Sequence, residues 1–280
     1  METVRFDELD LYPQVLRAIK EMGFEEATPI QSQAIPVVMS GVDVIGQAQT
    51  GTGKTASFGI PVLHKVDPNN KKTQVIILSP TRELAIQVSE EIRKLSKYMH
   101  GMKILPVYGG QDINRQIKAL KGGAQIIIGT PGRVMDHLRR KTIRCEAVNT
   151  IVLDEADEML NMGFTDSINA ILAEVPENRN MLLFSATMPK EIANITKKYM
   201  KNPKEIVIGN KNEGNKNIRD IYYMVQARDK YLALKRIADF YPNIYGIVFC
   251  RTRKETQEIA DKLIQDGYNA DSLHGELSQA

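Results

Sequence analysis

The chain has 280 residues, of which 42% are hydrophobic and 25% are charged, and its formal net charge is +3. This composition is typical of a globular protein and excludes a largely disordered chain, and the length suits one large or two ordinary domains. Two cysteines exclude a disulfide framework, and no apolar run approaches the roughly 18 residues of a membrane span. We therefore expect a cytoplasmic location and no membrane partner.

Short apolar runs alternate with amphipathic stretches along most of the chain. The runs predict seven strands, at residues 42–46, 74–78, 104–107, 125–129, 150–153, 181–185 and 205–208. Helical patterns separate them, at residues 55–65, 83–98, 114–120, 134–139 and 190–200. Residues 75–78 and 126–128 are apolar throughout, which indicates strands buried on both faces, as in a parallel sheet. The alternation predicts a doubly wound α/β domain with ligands beyond the carboxyl ends of its strands.

The pattern is interrupted once, by a segment without apolar residues. Residues 209–217 predict a flexible linker between a first domain, 1–208, and a second segment, 218–280. After the linker we expect strands at 221–225, 244–250 and 269–273 and helices at 230–240 and 254–266. Three strands give a small sheet with a limited core, so this segment is expected to be the start of a second α/β domain.

A phosphate-binding loop is predicted at residues 48–55, directly after the first strand. Gly51 and Gly53 allow positive φ, so backbone N–H groups can close around phosphate oxygens. The helix that follows would add its amino-terminal dipole. Ala48 stands where the general pattern has glycine, which is tolerable only if its φ is negative. The alternative is a glycine-rich turn before a helix. The predicted nucleotide contacts are Gln49, Thr50, Gly51, Thr52, Gly53, Lys54 and Thr55, with Lys54 on the phosphates and Thr55 on Mg²⁺.

An acidic segment follows the fifth predicted strand. Asp154 is placed to hold Mg²⁺, and Glu155 could accept a proton from the water that attacks the terminal phosphate. Asp157 could pair with a charge on the other domain or with the segment Ser185–Thr187. The alternative is a helix amino terminus whose acids match its dipole. Three histidines have no partner at metal-ligand spacing and are expected at the surface or its boundary: His64, His100 and His137.

These motifs resemble those of the DEAD-box RNA helicases, and the resemblance covers residues 6–279. It implies two tandem RecA-like domains, with ATP and Mg²⁺ as cofactors. Thr28-Pro29-Ile30-Gln31 is similar to the family's adenine-binding motif, in which Gln31 would hydrogen-bond the base. Phe6 stands where the family has an aromatic that stacks on adenine; the alternative is a core aromatic. Thr28 and Pro29 also suit the start of a helix, where Gln31 would otherwise be a surface residue.

Three further segments resemble the motifs that grip the RNA backbone in this family. Each follows a predicted strand, so all three should line one edge of the sheet. Arginines, hydroxyls and backbone N–H groups suit phosphate contacts, and none of these segments has a side chain suited to contact base edges. RNA binding should therefore depend little on the RNA sequence. Capping of helices by threonine and proline is the alternative. The predicted RNA contacts are Pro80, Thr81, Arg82, Gly109, Gly110, Thr130, Pro131, Gly132 and Arg133.

Ser185 and Thr187 belong to a segment that resembles the family's motif for coupling ATP hydrolysis to strand separation. Asp157 is expected to take part in this coupling. Residues 247–250 and 274–277 resemble early motifs of the second domain. The resemblance implies an ATP-dependent RNA helicase that locally unwinds short duplexes. Because the sequence contains no match to the family's late arginine motifs, we expect that the chain as it stands is a nucleotide-binding module without full activity. A related DNA helicase is a third hypothesis.

Overall fold

The computed structural model describes residues 3–209, 219 and 221–275. The chain divides into two compact units, Met1–Asn215 and Lys216–Ala280. Of the predicted linker, residues 210–217 lie outside the described residues, and so do residues 276 and 277 of the last motif.

The first unit contains seven strands that form one parallel sheet. They are β1 (Val44–Gln47), β2 (Val75–Leu78), β3 (Ile104–Val107), β4 (Ile126–Gly129), β5 (Thr150–Leu153), β6 (Asn180–Ser185) and β7 (Lys204–Val207). Their order across the sheet is β3-β4-β2-β5-β6-β1-β7, and every neighbouring pair is parallel. The predicted parallel α/β sheet is therefore confirmed, with strand ends that differ from the predicted ones by no more than two residues.

Nine α-helices are described in this unit. They are α1 (Pro13–Glu21), α2 (Pro29–Met39), α3 (Lys54–Lys65), α4 (Arg82–Leu95), α5 (Ile113–Lys121), α6 (Pro131–Arg139), α7 (Ala156–Asn161), α8 (Thr165–Glu174) and α9 (Lys190–Tyr199). A short 3-10 helix, Phe6–Glu8, precedes them. None of the described helices combines the length and apolar character that a membrane crossing requires.

The helices cover both faces of the sheet, as a doubly wound fold requires. Successive residues of a strand face opposite sides: Val75 and Ile77 pack in the core beneath α1–α4, whereas Ile76 and Leu78 pack in the core beneath α6–α9. All four of these strand side chains are fully buried. Burial on both faces explains why this strand is apolar throughout.

Parallel register brings the carboxyl ends of all seven strands to one edge. Gln47 of β1 lies beside Ser185 of β6, and Leu153 of β5 lies beside Leu183 of the same strand. The loops after β1, β5 and β6 are therefore neighbours. The loops after β2, β4 and β3 form a second neighbouring group, since these strands are adjacent in the sheet.

The second unit differs from the prediction. Its described residues form α10 (Lys230–Phe240), α11 (Arg253–Gln265) and a 3-10 helix, Ala227–Asp229. Both predicted helices are confirmed, but the strands predicted at 221–225, 244–250 and 269–273 are not formed. A strand needs a neighbour to satisfy its backbone N–H and C=O groups. None of these described segments pairs with another, and their apolar side chains stay exposed, Phe249 at 91%.

Candidate functional site

The loop between β1 and α3 has both of its predicted glycines in the left-handed conformation. Gly51 and Gly53 have φ of 81° and 90°, in the left-handed region that glycine adopts without steric cost. Ala48 does not have a positive φ, so alanine is tolerated there. Its N–H donates to the carbonyl of Ser185 at 3.1 Å, which ties the start of the loop to the end of β6. Thr52 closes the loop by donating to the carbonyl of Gln49 at 2.8 Å.

Lys54 is the first residue of α3 and lies inside this loop. Its side chain is buried, and its ammonium group donates to the carbonyl of Ala48 at 3.1 Å. An ammonium has three hydrogens, so this bond leaves donors for a phosphate. The loop conformation and the lysine position are those expected for a phosphate site. Thr50 and Gly51 lie at its exposed tip.

The first turn of α2 is bonded to the same loop. The Gln31 side-chain carbonyl accepts from the Thr28 N–H at 2.9 Å, and its amide donates to the carbonyl of Gly53 at 3.1 Å. The Thr28 hydroxyl donates to the carbonyl of Thr52 at 2.8 Å. A primary amide can make four hydrogen bonds, so Gln31 retains one donor and one acceptor position for a base. Its buried side chain is not the surface residue of the alternative interpretation.

Phe6 lies in the core near these residues. It is 3% exposed and packs in the cluster that contains α1–α4. A base could stack on its ring only after a movement of the segment that precedes α1. Stacking by Phe6 stays a prediction.

Asp154 follows β5 directly, and its N–H donates to the carbonyl of Leu78 in the neighbouring strand at 2.9 Å. Burial raises the pKa of Asp154 to about 7, although the positive charge of Lys54 acts in the opposite direction. A buried carboxylate is stabilised by a nearby cation. The carboxylate of Asp154 can therefore bind a divalent cation in addition to its interaction with the charge of Lys54.

Thr55 follows Lys54 on α3, and a residue that the sequence analysis missed lies beside it. Burial raises the pKa of Glu91 on α4, while a hydrogen bond from the Thr55 side chain acts in the opposite direction. The charge of Glu91 also contributes to the raised pKa of Asp154, so Glu91 lies near both predicted metal ligands. No sequence signal marks Glu91, because it belongs to an ordinary amphipathic helix.

Glu155 has a left-handed backbone, with φ of 50° and ψ of 52°, at the start of α7. For a residue other than glycine such a conformation costs about 1–2 kcal/mol. The strain lies at the residue predicted to be the catalytic base. Strained backbone of this kind is concentrated at functional sites.

Asp157 joins the loop after β5 to the loop after β6. Its carboxylate accepts from the Thr187 N–H at 2.9 Å and from the Thr187 hydroxyl at 2.7 Å. The Ser185 hydroxyl accepts from the Asp157 N–H at 3.3 Å and donates to the Thr187 carbonyl at 2.7 Å. Burial alone would raise the pKa of Asp157, but these hydrogen bonds outweigh it and lower the pKa. The structure thus brings the three predicted coupling residues into direct contact.

The predicted RNA contacts lie along the neighbouring part of the same edge, after β2, β3 and β4. Thr81 caps α4 by accepting from the Leu84 N–H at 3.2 Å, as the capping alternative requires, and Pro80 precedes it. Arg82 lies close to Gly110, since a Cβ added at Gly110 would lie 3.4 Å from its Nη1. The remaining predicted contacts lie in these loops and at the start of α6: Gly109, Thr130, Pro131, Gly132 and Arg133.

The prediction for His137 was wrong, because this histidine is fully buried. Both ring nitrogens have partners: Nε2 lies 2.9 Å from the side-chain oxygen of Gln116 and Nδ1 lies 2.8 Å from the Thr142 hydroxyl. These hydrogen bonds offset the cost of burying a polar ring. The same Gln116 oxygen accepts from Arg133 at 3.1 Å. The sequence analysis missed both Gln116 and His137, since no local pattern marks a pair on separate helices.

Within the described residues there is no group of three or more His, Cys, Asp or Glu side chains arranged to hold a metal. Mg²⁺ in nucleotide sites is commonly held by one or two protein oxygens together with phosphate oxygens. The Asp154 carboxylate and the Thr55 hydroxyl are donors of this kind. The residues present therefore fit Mg²⁺ bound together with a nucleotide.

Comparisons with known proteins identify the family of the chain. A family model described as DEAD/DEAH box helicase matches residues 28–195. The chain is 51% identical, over 99% of its length, to a DEAD-box ATP-dependent RNA helicase CshA of Bacillus subtilis. It is 50% identical, over 98% of its length, to the protein of the same name from Geobacillus kaustophilus. The chain spans 56% and 59% of the lengths of these two relatives.

A solved structure is also similar. It is the crystal structure of a DEAD box protein from the hyperthermophile Methanococcus jannaschii, with a TM-score of 0.71 and 45% identity. The match covers 99% of this chain and 75% of the other. Because the family model covers more than half of the chain, the chain belongs to the DEAD/DEAH box helicase family.

Proposed function

We propose that the chain binds ATP with Mg²⁺ and the backbone of single-stranded RNA, and that it acts in ATP-dependent unwinding of short RNA duplexes. One observation carries the proposal. The loops that hold Lys54, Asp154 and Thr187 are joined by direct hydrogen bonds between Ala48 and Ser185 and between Asp157 and Thr187. Hydrolysis of a nucleotide bound at Lys54 would therefore affect the segment Ser185–Thr187 through few intervening contacts. The names of the relatives, ATP-dependent RNA helicases, support the same reaction.

For the nucleotide, each residue has a role that its position supports. Backbone N–H groups of the loop around Gly51 and Gly53 bind phosphate oxygens, and Lys54 adds a charge that is already inside the loop. Gln31 binds adenine with its remaining donor and acceptor. Because Gln31 also bonds to Gly53, the base and phosphate contacts would form as one unit.

For the metal, Thr55 and Asp154 would hold Mg²⁺. When bound, the ion supplies positive charge that stabilises negative charge on the phosphates. Glu91 stands close to Thr55 and would orient its hydroxyl. Burial of Asp154 makes its carboxylate a stronger partner for a cation than an exposed one, since little solvent screens the charge.

For hydrolysis, Glu155 would accept a proton from the attacking water. It stands next to Asp154 and is half-buried, so its carboxylate can face the phosphate edge of the site. The fixed left-handed backbone holds the residue at the end of β5. General-base catalysis of this type contributes about 10²–10⁴-fold in rate.

For RNA, the loops after β2, β3 and β4 would bind successive phosphates. Arg82 and Arg133 supply charge, and the starts of α4 and α6 supply backbone N–H groups. These groups contact sugar and phosphate, so the affinity should depend strongly on salt and little on base sequence.

A second candidate is a nucleotide-binding module that does not unwind RNA. The described part of the second unit favours it, because these residues form helices and no strand and leave large apolar side chains exposed. The described residues of this unit therefore have no strand ends from which loops for phosphate or RNA could extend.

Steady-state ATP hydrolysis by the wild type, Lys54→Ala and Glu155→Gln tests the proposal, with single-stranded RNA, single-stranded DNA or neither present. We expect magnesium-dependent hydrolysis that RNA stimulates more than DNA does and that both variants lose. Equal stimulation by DNA would point instead to a general nucleic-acid ATPase, since the 2′-hydroxyl distinguishes the two polymers. ATP binding without hydrolysis in any condition would favour the module.

A further inference from the structure

We propose that Gln116 and His137 are positioning residues that hold Arg133 and the loop after β3 in the arrangement that binds the RNA backbone. This inference rests on the proposed RNA-binding function. It assigns a role to two buried polar residues outside the predicted contacts.

Gln116 is the centre of a buried hydrogen-bond network. It lies on α5 with 3% of its surface exposed. Its side-chain carbonyl accepts from Arg133 Nη1 at 3.1 Å and from His137 Nε2 at 2.9 Å. Its amide donates to the Tyr108 carbonyl at 3.0 Å and to the Gln111 side-chain oxygen at 2.9 Å. All four hydrogen-bonding positions of the amide are therefore used, and the network fixes its orientation.

His137 completes the network from α6. Burial and then the charge of Arg133 lower the pKa of His137, which favours the neutral ring. A neutral ring has one donor and one acceptor. Because Gln116 offers an acceptor, Nε2 carries the hydrogen, and Nδ1 faces the Thr142 hydroxyl at 2.8 Å. The tautomer of His137 follows from the orientation of Gln116.

Arg133 is held by one nitrogen and leaves its other edge available. Nη1 donates to the Gln111 carbonyl at 3.0 Å and to Gln116 at 3.1 Å, which uses both of its hydrogens. Within the part of the chain that the structure describes, these are the hydrogen bonds of its guanidinium. Nε and Nη2 lie on the edge that binds a phosphate with two parallel hydrogen bonds. The network therefore aims a pre-oriented guanidinium edge away from the buried residues.

The same network fixes the glycine loop. Tyr108 and Gln111 flank Gly109 and Gly110, and both are bonded to Gln116. Gly110 has φ of 82°, one of the many backbone conformations open to glycine, so the flanking bonds to Gln116 restrict a loop that is otherwise free to vary. One buried side chain thus sets the distance between the loop after β3 and Arg133 on α6. Without it, both RNA-contacting groups would be free to move, and ordering them would reduce the affinity.

The test is RNA affinity in a double-mutant cycle. Gln116→Met removes all four hydrogen bonds at nearly constant volume, and Arg133→Ala removes the contact itself. Binding of a short fluorescent oligouridylate at low salt, followed by anisotropy, is measured for the wild type, both single variants and the double variant. We expect Gln116→Met to weaken binding by about tenfold, the effect of losing a hydrogen bond to a charged group. Because part of the Gln116 effect passes through Arg133 and the rest through the glycine loop, the loss of binding free energy in the double variant should be smaller than the sum of the two single losses.

Gln74→Met is the matched control. Gln74 is an equally buried glutamine with three hydrogen bonds, to the Asp67 N–H and to the carbonyls of Asp67 and Asn70. It precedes β2, at the opposite edge of the sheet. This variant should lose stability but keep the RNA affinity of the wild type. In all folded variants the affinity for a fluorescent ATP analogue should be unchanged.

The possible outcomes distinguish a failure of this inference from a failure of the proposed RNA binding. If the wild type does not bind RNA, or Arg133→Ala binds as well as the wild type, both the RNA surface and this inference fail. If Arg133→Ala weakens binding and a folded Gln116→Met does not, or if the two effects add fully, only the inference is overturned. If Gln116→Met does not fold, Thr142→Val takes its place, and unchanged RNA binding by that variant overturns the inference.

Discussion

The Gln31 amide donates to the carbonyl of Gly53 at 3.1 Å and so joins the first turn of α2 to the loop between β1 and α3. The two residues come from separate sequence motifs, one predicted to bind adenine and one to bind phosphate. Their direct contact means that a change in either motif alters the other. Several variants can separate the contributions.

Replacement of Gly53 by alanine should be more damaging than replacement of Gly51. Both glycines have left-handed φ, so each alanine introduces strain of about 1–2 kcal/mol. At Gly53 the new Cβ would also overlap the Gln31 side-chain nitrogen, whereas nothing lies within 4 Å at Gly51. We expect Gly53→Ala to lose more free energy of unfolding in urea titrations than Gly51→Ala. Equal losses would mean that Gln31 can move aside without cost.

An adenine contact by Gln31 predicts a preference for ATP over GTP, and removal of the Gln31 side chain should weaken ATP binding and abolish that preference. We expect a loss of about tenfold in ATP affinity, since the base contact and the bond to the phosphate loop are lost together. Competition between the two nucleotides for a fluorescent analogue measures both effects. Gln33→Ala, at an exposed position on the same helix, is the control and should resemble the wild type. A Gln31→Ala variant that still prefers ATP would exclude this residue as the adenine contact.

Asp157 should contribute stability that depends on pH. Its folded-state pKa is lowered from 3.8, because the hydrogen bonds from Thr187 and Ser185 outweigh the effect of burial. The ionised form therefore stabilises the native state: the contribution is present above 3.8 and is lost as the pH falls through the folded-state pKa. We expect Asp157→Asn to cost about 1.5–3 kcal/mol at pH 7, the range for hydrogen bonds to charged groups.

Urea unfolding at pH 7 and in acid measures the Asp157 effect. The difference between Asp157→Asn and the wild type should shrink in acid. The exposed neighbour Glu158 provides the control, and Glu158→Gln should show no such loss. A constant difference at both pH values would contradict the assignment of the shift to the Thr187 contacts.

Backbone amides of the second unit should exchange hydrogen faster than those of the sheet. The described residues of this unit form two α-helices and no strand, and many large apolar side chains are exposed. Protection from exchange requires buried, hydrogen-bonded backbone, which β2 and β5 have at the centre of the sheet. Exchange measured by mass spectrometry should show early labelling of residues 221–250. Equal protection in the two units would show that these segments pair in solution.

The sequence was sufficient to predict strands whose partner strands and covering helices are present in the first unit. The run 126–128 is apolar on both faces because helices cover both faces of β4, and its pattern predicted the strand. The run 244–250 has a similar pattern, but no strand forms there. The prediction failed because a local pattern contains no information on whether a partner strand is present. The helix α8 was not predicted at all, although its apolar residues Ile168, Ile171 and Leu172 have helical spacing.

In the candidate site, too, local sequence patterns predicted individual residues but not the contacts between separate segments. Residue types at the strand ends marked Lys54 and Asp154 and gave two candidate partners for Asp157, of which the structure shows the segment Ser185–Thr187. Contacts that join separate segments, such as Gln31 with Gly53 or Gln116 with His137, carry no signal in spacing, since the two partners lie far apart in the sequence. The buried position of His137 follows from its two partners and not from its neighbours in sequence.

The most direct test of the account is magnesium-dependent ATP binding at equilibrium by the wild type, Glu155→Gln and Lys54→Ala. The account predicts that Glu155→Gln binds as the wild type does, because Glu155 acts on water and not on the nucleotide. Lys54→Ala should lose at least about tenfold in affinity, since the charge inside the phosphate loop is gone. Binding by Lys54→Ala that equals the wild type would contradict the placement of the phosphates in the loop between β1 and α3.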